Sequence, residues 1–352
     1  MNTNATLAAH PPAAAIRPPA PELLPSIDAL AAELPLSPAL AAQVAAHRQA
    51  VRNILAGSDP RLLVVVGPCS IHDVDAAMDY AHRLRALSDQ LGDKLLLVMR
   101  VYVEKPRTTV GWKGLLYDPA LDGSHDMALG LRTARRLMRD IVALGLPVAT
   151  ELLHPMAAGY LEDLLSWAAV GARTTESQIH REMVSGLSLP CGFKNGTDGG
   201  TTVAIDAMGA AARGHHHFGV DRHGRPAVLV SDGNADTHLV LRGGRSGPNY
   251  HADALEAASN ALANAGVSPA LMVDCSHANS QKDHRRQIEV LKEVLAQRRA
   301  GRHVLRAVMI ESHLEEGAQP LCETMRYGVS VTDACLGWQD SEQLLREAAA
   351  QL

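Results

Sequence analysis

Two apolar runs, each ending on a cation, decide how this chain is read. Ser166-Trp-Ala-Ala-Val-Gly-Ala172 leads into Arg173-Thr-Thr-Glu-Ser-Gln178, and Leu189-Pro-Cys-Gly-Phe193 leads into Lys194-Asn-Gly-Thr-Asp-Gly-Gly200, with a short polar helix between them. Each run has the length and unbroken apolar character of a strand covered on both faces. In parallel α/β folds ligands sit beyond the carboxyl ends of the strands, so Arg173 and Lys194 are expected at one anion-binding pocket, where an arginine can hold a phosphate by two bonds.

Outward from this pair, the same signal recurs. Strand-like runs are expected at Leu62–Cys69, Leu95–Val103, Leu146–Leu152, Trp167–Arg173, Leu189–Lys194, His238–Arg242, Ala270–His277 and Val304–Glu311. Helical patterns between them include Asp75–Leu91, Met127–Leu144, Ala254–Ala265 and Asp283–Arg299, which supply the crossovers a parallel sheet needs. Eight such units predict a (β/α)8 TIM barrel over residues 61–352. A doubly wound open sheet is the alternative, but no G-x-G-x-x-G fingerprint follows the first strand.

Two segments lie outside the repeat. Residues 1–21 are rich in Ala and Pro and predict a disordered tail, followed by a helical extension over 22–60. In that extension Ser37, Pro38 and Gly57 have the spacing of an N-cap, a first-turn proline and a C-terminal stop around a helix ending at Ala56. Residues 213–231 predict an inserted β-hairpin with its turn near His223-Gly224, a place for regulation or subunit contact. Its consecutive His215, His216 and His217 would alternate faces in a strand and so make a poor metal site.

The chain has 352 residues, of which 47% are apolar and 20% charged, enough to bury one large core. A net charge of −5 argues against a general affinity for nucleic acid or anionic membrane. Five widely spaced cysteines do not form a secreted disulfide framework, and there is neither a membrane span nor a signal-peptide pattern, so a cytoplasmic location is expected.

The expected strand ends carry Cys69, Arg100 with Lys105 beyond it, Glu151, Arg173, Lys194, Arg242, His277 and Glu311. Cys69, His277 and Glu311, with Asp333 after the last strand, form a mixed S, N and O donor set suited to one divalent Zn, Mn, Fe or Co ion. The first, seventh and eighth strands are contiguous around a closed barrel. Arg100, Lys105, Arg173, Lys194 and Arg242 would bring five cations to one pocket, tolerable with a multiply charged ligand between them. The loop after the second strand adds Arg107, Thr108 and Lys113 for a second anionic group.

Gly67-Pro-Cys-Ser-Ile-His-Asp73, Lys105-Pro-Arg-Thr-Thr-Val-Gly-Trp-Lys-Gly114, Gly171-Ala-Arg-Thr-Thr-Glu-Ser-Gln178, Gly192-Phe-Lys-Asn-Gly-Thr-Asp-Gly199, Leu241-Arg-Gly-Gly244 and Asp274-Cys-Ser-His-Ala-Asn-Ser280 resemble the 3-deoxy-D-arabino-heptulosonate 7-phosphate (DAHP) synthases of type I, subtype α. The resemblance runs from about Ser37 to the C-terminus. It implies condensation of phosphoenolpyruvate with D-erythrose 4-phosphate, the first step of the shikimate pathway, by a feedback-inhibited enzyme. It also implies Cys69, His277, Glu311 and Asp333 as ligands of a divalent metal, and Arg173, Lys194 and Arg242 around the phosphate of phosphoenolpyruvate. Arg100 and Lys105 match groups near its carboxylate, Arg107 and Thr108 match the site for the sugar phosphate, and Glu151 matches a carboxylate lining the pocket.

Lys105 or a metal-bound water is the expected proton donor, and Glu151 or the metal the expected activator of the attacking water. An aromatic amino acid is the implied effector, through a site resembling Ser188, Phe218 and Gly219. A small residue at Gly219 and the stretch Met325-Arg-Tyr-Gly-Val-Ser-Val-Thr-Asp333 favour tyrosine over phenylalanine or tryptophan. Cys335, two residues past Asp333, makes a Cys69–Cys335 disulfide on oxidation a further expectation. A homodimer or homotetramer is expected. Three other readings compete: a 3-deoxy-octulosonate 8-phosphate synthase, a Schiff-base aldolase acting through Lys194, and a non-catalytic metabolite sensor.

Overall fold

A computed structural model describes residues 21–108 and 110–352, so the expected Ala/Pro-rich tail lies, but for its last residue, outside the described residues. The chain opens with helices α1 (Ile27–Glu33) and α2 (Pro38–Ala56). Ser37 caps α2 by accepting from the Leu40 amide, and Gly57 ends it at φ 82°. The capping and stop residues thus act where the sequence puts them.

Eight strands then close into a parallel barrel in the order β1-β10-β9-β8-β5-β4-β3-β2. They are β1 (Leu62–Gly67), β2 (Leu95–Arg100), β3 (Val148–Glu151), β4 (Trp167–Val170), β5 (Cys191–Lys194), β8 (Thr237–Leu241), β9 (Leu271–Asp274) and β10 (Leu305–Glu311). Seven of the eight expected runs contain one of these strands, and the run His238–Arg242 overlaps β8, which begins one residue earlier at Thr237. Six of the strands stop earlier than the expected runs, while β5 and β10 end at Lys194 and Glu311 as expected, so Cys69, Arg173, Arg242 and His277 stand on the loops just past β1, β4, β8 and β9. The hairpin is also found, as β6 (His215–Val220) paired antiparallel with β7 (Pro226–Ser231) outside the barrel.

Alternation along each strand divides the core in two. Leu63 and Val65 of β1 face the barrel interior with Val98, Ala149, Trp167, Val240, Met272 and Met309, whereas Leu62, Val64 and Val66 face the surrounding helices. Helix α2 pushes Val51 and Ile54 into the interior cluster, and each apolar side chain buried this way contributes roughly 1.5–3 kcal/mol. The outer layer comprises α3 (Val74–Leu91), α4 (Met127–Ala143), α5 (Pro155–Leu161), α6 (Gln178–Ser185), α7 (Thr202–Ala211), α8 (Ala252–Asn264), α9 (Gln287–Arg299) and α10 (Trp338–Ala350). In α3 the buried positions Ala77, Tyr80, Ala81, Leu84, Leu87 and Leu91 fall at spacings of three and four, the stripe that docks a helix on a sheet. Among the described residues no single helix is long and apolar enough to cross a membrane.

Candidate active site and metal-binding cluster

Beyond the carboxyl ends of the barrel strands lies a cavity of about 450 Å³ whose lining includes Lys105, Arg107, Thr108, Glu151, Arg173, Lys194, Arg242, His277 and Asp333. The sequence places these residues on different strand ends and loops, and the barrel brings them to one opening. Tight backbone approach is part of the construction: a Cβ on Gly171 would lie 2.3 Å from Glu151 Oε1, so only glycine leaves that carboxylate its position.

The floor is built around Cys69, Glu311 and Asp333, whose ligand atoms all lie within 4.8 Å of one another. Cys69 and Glu311 are fully buried. Lys105 Nζ sits 2.9 Å from Cys69 Sγ and 3.6 Å from Asp333 Oδ2. Burial, then the Glu311 charge, pushes the Cys69 thiol up to about 11. A metal bound by sulfur must therefore displace a proton from Cys69.

Burial works against the ionised form of Glu311, but Arg100, then His277 and Lys105, more than offset it and hold its carboxyl below the usual range. Lys105 shows the reverse balance: burial favours loss of its proton, while Cys69, Glu311 and Asp333 keep its ammonium above the ordinary lysine range.

His277 lines the same cavity with its backbone in the left-handed region at φ 57°. Its Nδ1 lies 2.9 Å from Asp274 Oδ2, leaving Nε2 as the ring nitrogen free of that contact. The expected imidazole thus lies outside the 4.8 Å cluster of Cys69, Glu311 and Asp333, and a thiol and two carboxylates with an imidazole on the adjoining cavity wall are a donor set of the kind that suits a divalent Mn, Fe, Co or Zn ion.

Asp274 escaped the sequence reading. It is fully buried, orients His277, and approaches Lys194 Nζ to 3.2 Å. Burial disfavours its charge, yet His277 and Lys194 hold the carboxyl well below the usual range. The available signal was an acidic residue at a strand end three positions before a candidate histidine ligand, a spacing that suits a carboxylate supporting an imidazole.

Of the expected cations, Arg100 does not line the cavity. It ends β2 pointing into the barrel, 1% exposed, donating to Glu311 Oε1 at 2.8 Å and to the carbonyls of Pro68 and Cys69. Its guanidinium also stacks 3.5 Å from the centroid of the Tyr102 ring. Arg100 thus anchors Glu311 from beneath.

Lys194 faces Asp274 and Glu151, at 3.2 and 3.8 Å. Burial pulls its titration down, but Asp274, Tyr102 and Glu151 raise it further, which keeps the amine protonated and unsuited to Schiff-base chemistry.

Arg107, Arg173, Arg242 and Lys282 form the rim, and none of them makes an ion pair with a described residue. Arg173 donates to Thr108 Oγ1 at 3.2 Å, tying the β4 loop to the β2 loop. Lys282 and His284, also in the lining, were missed. Lys282 reaches the opening through a left-handed backbone at φ 66°, which spacing does not announce.

Lys113, by contrast, stacks near the Tyr117 ring at 5.7 Å and is not among the lining residues. Glu104, buried beside Lys105, accepts from the Leu153 and His154 amides at 3.1 and 3.2 Å, and burial raises its carboxyl to about 7.

The expected effector residues lie elsewhere. Ser188 Oγ accepts from Arg48 at 3.3 Å, while Phe218 projects from the hairpin, 97% exposed. A Cβ on Gly219 would meet Leu229 Cδ1 at 2.4 Å, so the room left by this glycine is filled by the facing strand. Cys69 and Cys335 are both buried free thiols.

A closed parallel barrel with a thiol-carboxylate cluster, and with rim cations that make no ion pair among the described residues, defines a (β/α)8 protein with a candidate metal and polyanion site beyond its strand ends. The comparisons narrow this to one family. Residues 39–346 match the model of the DAHP synthetase I family. Over 330 residues the chain is 53% identical to the Tyr-sensitive phospho-2-dehydro-3-deoxyheptonate aldolase of Escherichia coli K12, covering 93% of this chain and 92% of that protein. The Trp-sensitive enzyme of Enterobacter agglomerans is 52% identical, with 90% and 91% covered. The solved phospho-2-dehydro-3-deoxyheptonate aldolase of Francisella tularensis SCHU S4 superimposes with a TM-score of 0.93 at 41% identity, covering 95% of this chain and 98% of that one. The chain belongs to the DAHP synthetase I family.

Proposed function

We propose that the protein is a metal-dependent DAHP synthase that joins phosphoenolpyruvate to D-erythrose 4-phosphate, releases phosphate, and is inhibited by an aromatic amino acid. The observation that carries this reading is the cluster of Cys69, Glu311 and Asp333 beside a cavity lined by His277 and by three arginines that make no ion pair among the described residues. Cys69, Glu311, Asp333 and His277 would hold a divalent ion, which would supply Lewis acidity towards the aldehyde of erythrose 4-phosphate.

In this reading Arg173, Lys194 and Arg242 hold the phosphate of phosphoenolpyruvate, and Lys105 faces its carboxylate. Arg107 and Thr108 hold the sugar phosphate, so that C3 of phosphoenolpyruvate is aimed at the aldehyde carbon. As the C–C bond forms, the aldehyde oxygen gains negative charge, and Lys105 is positioned to give it a proton. Water adds at C2 with Glu151 as the nearby carboxylate to accept its proton, and the resulting hemiketal phosphate expels phosphate by C–O cleavage. The arginines that bound the phosphate stabilise the departing dianion. Arg100 acts by fixing Glu311 rather than by touching substrate.

The test is phosphate release in the presence of both substrates. Erythrose 4-phosphate as the accepted aldehyde supports this reading, whereas turnover with arabinose 5-phosphate in its place would indicate the octulosonate synthase. Binding of the substrates without turnover would indicate a sensor.

The effector is proposed to be tyrosine, acting near Ser188 and the β6–β7 hairpin in a homodimer or homotetramer. The near-equal identities to Tyr- and Trp-sensitive relatives do not separate the candidates, and inhibition by phenylalanine or tryptophan but not tyrosine would reject it. A Cys69–Cys335 disulfide is proposed to inactivate the enzyme under oxidation, and full activity with retained metal after oxidant treatment would exclude this. A cytoplasmic location is part of the same proposal.

A further inference from the structure

Glu316 joins two loops that the cavity needs in one place. The segment from β9 to α9 carries His277 and Lys282, and three of its non-glycine residues, His277, Gln281 and Lys282, have φ of 57°, 54° and 66°. L-residues adopt that region at a cost, so it persists where the surroundings enforce it, and such residues gather at functional sites.

Part of the enforcement is internal, through the Lys282 amide donating to His277 O at 2.9 Å. Further hold comes from Asn279, whose side-chain amide donates to the Leu241 and Asp274 carbonyls at 3.0 and 2.9 Å, and from outside the segment. At the end of the segment His284 Nε2 and Arg285 Nε both meet one oxygen, Glu316 Oε1, at 2.8 and 2.6 Å. Hydrogen bonding from Arg285, then from His284, draws the Glu316 carboxyl down to about 2, which favours its charged form.

The other side of Glu316 is equally committed. The next residue, Gly317, exchanges two backbone hydrogen bonds with Cys335, at 2.9 and 3.1 Å, and Asp333 lies two positions before Cys335. One acidic residue therefore grips the end of the loop that carries His277 and Lys282, through His284 and Arg285, while the backbone next to it is bridged to the segment that carries Asp333. His284 lines the cavity, and Glu316 is not among its lining residues.

We propose that Glu316 is a positioning residue that latches the β9–α9 loop to the β10–α10 loop and thereby sets the placement of His277 and Lys282 relative to Asp333. The inference rests on the metal and substrate roles proposed above. The pair is partly solvent-exposed, with side-chain exposures of 37% for Glu316 and 71% for Arg285, so it adds little to global stability and its removal is felt locally.

The experiment compares the full chain with its Glu316→Ala, Glu316→Gln and Arg285→Ala variants. Mn²⁺ affinity is measured by equilibrium dialysis after chelation and without substrate, with hydrogen exchange over residues 277–286, the KM for each substrate and the thermal midpoint alongside. Glu316→Ala is expected to weaken Mn²⁺ binding about threefold to tenfold, to speed exchange in that loop, and to raise KM for the aldehyde phosphate more than it lowers kcat. The midpoint should stay within about 2 °C. Glu316→Gln should recover part of the loss, since its amide oxygen still accepts from both donors, and Arg285→Ala should reproduce part of it.

Unchanged Mn²⁺ affinity and unchanged exchange in Glu316→Ala overturn the latch, as does a loss that merely follows a general fall in the midpoint. If the wild-type chain itself fails to bind Mn²⁺, the metal-site reading fails first, a result distinct from failure of the latch.

Discussion

On the floor of the pocket Lys105 and Lys194, and beneath it Arg100, are buried and each meets an anionic or thiol partner, whereas at its rim Arg107, Arg173, Arg242 and Lys282 face the opening with no ion-pair partner among the described residues. The difference follows from solvation. A buried cation has lost its water and must be balanced within the fold, while an exposed one remains hydrated and can await a ligand. Floor residues should therefore tie stability to activity, and rim residues should govern affinity alone.

The largest effect should come from the floor. Glu311→Ala leaves Arg100 buried without its carboxylate, and breaking a buried pair on one side costs about 3–5 kcal/mol. Chemical denaturation should show that loss, and a change below about 1 kcal/mol would break the distinction.

The barrel interior beneath the floor gives a second test. His238 is fully buried, its Nε2 accepts from Trp167 Nε1 at 2.9 Å, and burial lowers its titration from 6.5 to about 4. The unfolded chain takes up this proton near pH 6.5 and the folded chain only near pH 4. Stability from this group is therefore complete above the first value and is lost as pH falls towards the second. The contribution is about 3 kcal/mol. Denaturation midpoints followed from pH 7 to pH 4 should show a shallower decline in His238→Gln than in the wild type.

At the rim, Arg242→Gln should raise the dissociation constant for phosphoenolpyruvate about tenfold to a hundredfold, the loss of one charged hydrogen-bonding group. Its thermal midpoint should be unchanged or higher, because one mutually repelling cation has gone. A lowered midpoint would show that the rim is also structural. The smallest effect concerns salt. Raising ionic strength should weaken substrate binding at the exposed rim several-fold while leaving the denaturation free energy of the floor nearly unchanged, because buried pairs are screened much less.

The strands were legible because a parallel barrel buries both faces of each strand, which writes unbroken apolar runs such as Leu62–Gly67 into the chain. Helices were less so. Thr202–Ala211 is apolar almost all round and shows no stripe, and Pro155–Leu161 is short and contains Gly159. The candidate metal and phosphate residues could be named because chemically distinctive side chains followed the apolar runs.

Direction could not be read. Arg100 turns inward to Glu311 instead of outward to the cavity, a choice fixed by register and barrel curvature. Lys282 and His284 reach the opening only because left-handed residues bend their loop. Gly219 likewise leaves space on paper that Leu229 fills in three dimensions.

The most direct measurement is product formation from phosphoenolpyruvate and erythrose 4-phosphate by the chelated protein, repeated after addition of Mn²⁺, Fe²⁺, Co²⁺ or Zn²⁺ singly. The account predicts no product without metal and restored formation of DAHP and phosphate with at least one of the four. Undiminished turnover in the metal-free protein, or none with any metal, would contradict it.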